Sequence, residues 1–149
     1  MSRANLHLQH FAKRLIVFET GRNKSSGTKI PPAFHVPEKL RPQLVALMGN
    51  GGFRALLSRA LALASAELPW LRSVRVKADG SLEGVEELQA QLSPDKFLEG
   101  RVVLLAQLLG LLVAFIGENF TLRLVREVWP KVSLSELDFA SEGKYEKTK

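Results

Sequence analysis

Apolar positions along the chain fall into blocks whose spacing is helical, then alternating, then helical again. Ala4, Leu8, Phe11, Leu15 and Phe18 stand at i, i+4, i+7, i+11 and i+14, one unbroken stripe of the kind a packed helix needs. The pattern predicts a helix from about Ser2, its N-cap, to Thr20, with Gly21 as its stop. Residues 21–37 read GRNKSSGTKIPPAFHVP, a mobile basic loop by composition, stiffened in its second half by Pro31, Pro32 and Pro37. A short helix over Glu38–Met48 carries Leu40, Leu44, Val45 and Leu47, with Pro42 in its first turn. Gly49, Asn50, Gly51 and Gly52 make a turn. The next helix, Phe53 to Leu68, buries Phe53, Leu57, Ala60, Leu61, Ala64 and Leu68, shows Arg54, Ser58 and Ser65 on another side, and ends at Pro69.

The period then drops to two. Val74 and Val76 alternate with Arg75 and Lys77, and an Asp79-Gly80 turn leads to Leu82, which predicts a small β-hairpin near 72–84. Such a ribbon is marginal alone and must lie on the helices to persist. A short helix over about Val85–Leu92 precedes Ser93-Pro94, an N-cap and first-position proline opening a long helix over 94–116. A last helix, Glu118 to Trp129, is expected to turn Phe120, Leu124, Val125 and Val128 inward and Thr121, Arg123, Arg126 and Glu127 outward. The expectation is a mainly α fold: one domain over 1–132, with five or six helices around the apolar helix 94–116, and a polar tail over 133–149.

The run Val102 to Gly117 is apolar on every side and must be enclosed. Its 16 residues make a rod of ~24 Å, short of the ~30 Å of a bilayer core, so no membrane span is expected. Within it Ala106, Gly110 and Ala114 stand at i, i+4 and i+8, with Gly117 at i+11. Such a stripe of small residues is a groove along which another backbone can approach closely. Leu104, Leu105, Leu108, Leu109, Leu111, Leu112, Val113 and Ile116 cover the other sides. The neighbours of this helix within one chain could enclose it, or part of the stripe could be a subunit interface, for which a two-fold dimer is the default.

Charge adds a second feature. The net +6 hides a split: residues 1–77 hold 13 Lys and Arg against three acids, a surplus of ten, whereas residues 78–149 hold eight against 12. Positive charge gathers at Arg22, Lys24 and Lys29 in the loop and at Arg72, Arg75 and Lys77 on or beside the hairpin. Six acids and one base occupy residues 79–99. A basic ribbon with a basic loop can contact nucleic-acid phosphates. Exposed aromatic residues for base stacking are missing, since Phe11, Phe18 and Phe53 sit on core stripes.

Candidate chemistry is sparse. The absence of cysteine removes disulfides, thiolate nucleophiles and thiolate metal sites. Gly21 to Lys29 departs from a phosphate loop in spacing, and a helix rather than a strand precedes it. His7 and His10 share a helix face, with only His35 and Glu19 as further ligands nearby, so no metal or other cofactor is expected. No serine lies in a nucleophile elbow, and the carboxylates Glu83, Glu86 and Glu87 read as a solvated face. The first 28 residues also have the composition of a transit peptide, but their apolar stripe favours a packed helix. The reading is a soluble, cytoplasmic, non-enzymatic interaction subunit that self-associates or binds a protein partner. The alternative is a nucleic-acid binder using the basic half.

Overall fold

The computed structural model describes residues 8–18 and 35–129. The fold is mainly α. Helix α1 covers residues 8–18. Helix α2 runs His35–Glu67 and is followed by a 3-10 turn, Pro69–Ser73, and by strands β1 (Arg75–Val76) and β2 (Leu82–Glu83). Helices α3 (Val85–Gln91), α4 (Pro94–Ile116) and α5 (Glu118–Val128) complete it. Helix α4 packs chiefly on α2, with α5 against both. The core they share includes Leu15, Leu44, Phe53, Leu57, Leu104, Leu108, Leu112 and Trp129.

Several starts and stops follow from local chemistry. The Ser93 hydroxyl accepts a hydrogen bond from the Lys96 amide at 3.3 Å, which caps α4, and Pro94 fills its first position. Helix α2 begins three residues earlier than expected, at His35, so Pro37 joins its first turn rather than the preceding loop. The four-residue turn expected at 49–52 is a single kink. Only Gly49 leaves helical geometry, at φ 79° and ψ 167°. Gly117, between α4 and α5, takes nearly the same conformation, φ 88° and ψ 160°. That region of backbone space is essentially open to glycine alone, and it bends the chain sharply between two helices.

The hairpin is antiparallel, with Arg75 opposite Glu83 and Val76 opposite Leu82. The Lys77 amide donates to the Ser81 carbonyl at 2.7 Å, leaving a three-residue loop that contains Asp79 and Gly80. As expected of so short a ribbon, it rests on a helix. A side chain at position 80 would run into Arg41 Nη2 and the Phe53 ring of α2. Arg41 itself lies over that ring, 5.7 Å from its centre.

Two helix faces differ from expectation. In α5, Thr121 is fully buried and Phe120 is 40% exposed, the reverse of the predicted orientation, while Val128 is only half-buried. The stripe that faces the core is 121, 124, 125 and 128, the i, i+3, i+4, i+7 set. Threonine is tolerated there because its hydroxyl donates to the Gly117 carbonyl at 2.7 Å and so arrives in the core already paired. In α2, Ser65 is buried rather than turned outward, because the 3-10 turn and β1 fold back beside it, and Leu68 is half-buried.

Helix α4 is also longer than its apolar run. It has the bounds expected, 94–116, and its 23 residues have the length and composition to cross a membrane, whereas the apolar run within it is 16 residues. Half of its most apolar 18-residue window is buried inside the fold.

Candidate functional site

The small-residue stripe of α4 divides between interior and surface. Ala106 is buried. Gly110 is half-buried, and a Cβ added there would meet only a Leu8 methyl of α1, at 3.3 Å. The close neighbour at Gly110 is thus a side chain of this same chain. Ala114 is exposed. Gly117 has nothing within 4 Å of the position a Cβ would take, and its role in the fold is the bend between α4 and α5.

Around Ala114 and Gly117 the cover over α4 gives out. Phe115 is 74% exposed, and Phe120, just past the bend, is the other exposed phenylalanine among the described residues. Single exposed apolar residues are ordinary, but two phenylalanines flanking one corner, with Ala114 beside them, mark an apolar end. Phe115 stands among residues that read from the sequence as uniformly buried, and only the end of the covering layer reveals it.

The basic candidates separate as well. Arg22, Lys24 and Lys29 lie outside the described residues. Arg72, on the 3-10 turn, and Arg75 and Lys77, at the hairpin, are all exposed. They do not stand apart from the acidic stretch. Arg75 is directly opposite Glu83 across the ribbon. Arg72 and Arg75 border an open groove of about 470 Å³ whose other walls include Glu83 and Glu87. The two regions of opposite charge therefore adjoin along one side of the hairpin.

On the other side the same arginines border a second groove, of about 450 Å³, walled by Ser58, Leu61 and Ser65 of α2 and by Val76 of β1. Among the described residues no carboxylate lines it. Nothing in the sequence marks Ser58 and Ser65 as site residues, because only the return of the 3-10 turn and β1 onto α2 brings them beside arginines.

Two further polar groups sit on α4. Gln107, which interrupts the apolar run, donates from Nε2 to the Glu67 carboxylate at the end of α2, at 2.6 Å. Arg101 has a buried Nε with no hydrogen-bond partner among the described residues, and burial pushes its guanidinium pKa down. Of the histidines, His10 is exposed, and His7 lies outside the described residues. Among the described residues no three His, Asp or Glu side chains converge as metal ligands would.

Comparison with known proteins finds no matching family model, no matching curated protein and no matching solved structure. The functional reading accordingly rests on these surfaces alone.

Proposed function

We propose that this protein is a non-enzymatic helical interaction subunit that works within an oligomer, its contact surface centred on the exposed end of α4. The observation that carries this reading is Phe115, 74% exposed on a helix whose preceding turns are packed in leucine. With Ala114, Gly117 and Phe120 it offers exposed apolar surface at the bend, which a second copy can cover through a two-fold contact. Ala106 is buried and Gly110 is half-buried against a Leu8 methyl, so the proposed contact centres on Ala114 and Gly117.

Light scattering of the purified chain tests the proposal. The expected mass is that of an oligomer, and Phe115→Ser with Phe120→Ser should reduce it to a monomer that keeps its helical circular dichroism. A strictly monomeric wild type that also retains no protein in a native pulldown would sink the reading.

The exposed Arg72, Arg75 and Lys77 favour the second reading, a nucleic-acid contact. Its weight is reduced by Glu83 and Glu87, which share a groove with two of these bases and would face the phosphates. Retardation of DNA or RNA that falls steeply with added salt would support it, and no retardation at low salt would remove it.

A further inference from the structure

The groove between the C-terminal arm of α2 and β1 joins four features that separately mean little. It is a shallow, widely open depression of about 450 Å³, which leaves one side of any occupant in solvent. One wall is apolar, from Leu61 and Val76. Arg72 and Arg75 stand at its rim, and neither guanidinium has a hydrogen bond or an ion pair among the described residues, even with Glu83 across the ribbon from Arg75. The fourth feature is Ser65. It is 92% buried, from a relative exposure of 8%, and its hydroxyl makes no hydrogen bond among the described residues although it lines the groove.

The Ser65 oxygen is not enclosed, since Arg101 Nε is the one buried side-chain nitrogen or oxygen without a partner among the described residues; the hydroxyl opens on the groove and is free to donate to a ligand atom there. Thr121 shows the usual solution within a helix, donation to the carbonyl four residues back, and Ser65 does not adopt it. Two guanidiniums beside a hydroxyl are a donor set whose nearest carboxylates, Glu83 and Glu87, line the groove on the opposite side of the arginines and make no ion pair with them among the described residues. The complement of the donor set is a carboxylate or another oxyanion, which arginine can hold through paired N–H donors.

We propose that this groove binds a small amphipathic carboxylate. The headgroup lies against Arg72 and Arg75 and accepts a hydrogen bond from the Ser65 hydroxyl, and the aliphatic body lies along Leu61 and Val76. The site is independent of the apolar corner at Phe115, so either proposal can fail alone.

Octanoate is the probe, followed by calorimetry and by amide chemical shifts of the full chain. Octanoate is expected to bind and to move the resonances of Ser65, Val76 and Arg75. Octanamide, of the same shape without the charge, and inorganic phosphate, charged without the apolar body, should each bind at least about tenfold more weakly. Arg72→Gln combined with Arg75→Gln should weaken octanoate by about tenfold or more, and Ser65→Ala by a smaller factor of several. Both arginines are exposed, so the double variant should keep its thermal midpoint. If it nonetheless unfolds, the ligand comparison on the wild type decides. The proposal is overturned if octanoate fails to bind at millimolar concentration, or if octanamide or phosphate binds equally well. Shifts confined to other parts of the chain, or unchanged affinity in a folded double variant, overturn it too.

Discussion

Two neighbouring stretches of the apolar run in α4 have similar composition and meet different surroundings. From Val102 to Leu112 the helix is sheltered by α2, α5 and α1, and Leu104, Leu108, Leu109 and Leu112 have no exposed surface. From Ala114 to Ile116 the composition hardly changes, but Phe115 stands mostly in solvent. Hydrophobicity alone therefore does not mark the interior of this helix. What marks it is how far the neighbouring elements reach along it, a property of chain length and bends elsewhere.

This contrast can be broken from either side. The largest effect belongs to the sheltered part: Leu108→Ala removes a fully buried side chain and should cost about 2–5 kcal/mol in chemical denaturation. Gly117→Ala comes next, at about 1–3 kcal/mol. Since space around that position is open, the loss would report backbone conformation alone, and a neutral result would show that the bend tolerates side chains. Gly110→Ala should stay within about 1 kcal/mol of wild type, because the gain in helix propensity offsets a small displacement of the Leu8 methyl. A much greater loss would place backbone rather than a side chain against Gly110. Phe115→Ala should change stability by no more than about 0.5 kcal/mol while lowering the oligomeric mass seen by light scattering.

The smallest effect concerns acid. Asp79 receives hydrogen bonds from the Ser81 hydroxyl at 2.6 Å and the Ser81 amide at 3.0 Å, which hold its carboxyl pKa below the ordinary 3.8, with Lys77 and Arg41 adding to the effect. A carboxyl depressed in the folded state contributes stability above its unfolded pKa and loses it as pH falls through the folded value. The difference in urea midpoint between wild type and Asp79→Ala should thus be present at neutral pH and close in strong acid. A gap that persists at pH 2 would assign the loss to turn geometry instead of charge.

Features set by neighbours in the sequence could be read in advance. Ser93-Pro94 opens a helix because one hydroxyl and one ring act within a single turn, and Asp79-Gly80 closes a hairpin for a similarly local reason. The orientation of α5 could not be read in this way. Phe120 and Thr121 are adjacent, hydropathy favours burying the phenylalanine, and the outcome turns on which face meets α2 and α4. The groove at Ser65 was further out of reach, since Ser58, Arg72 and Val76 become neighbours only after the chain reverses at Pro69–Ser73. Of the stripe on α4, the spacing was visible, but its division into a covered part and an open end depends on where α1 and α5 stop.

Leucine-rich helices pack almost equally well in several alignments, because shifting one past another by a turn exchanges one leucine for the next. The Gln107–Glu67 hydrogen bond removes that degeneracy for α2 and α4. A slide of one turn, about 5.4 Å, would leave a carboxylate against aliphatic surface and an amide without its acceptor. One polar pair thereby fixes the register of the two longest helices, and with it the position at which α4 emerges from its cover.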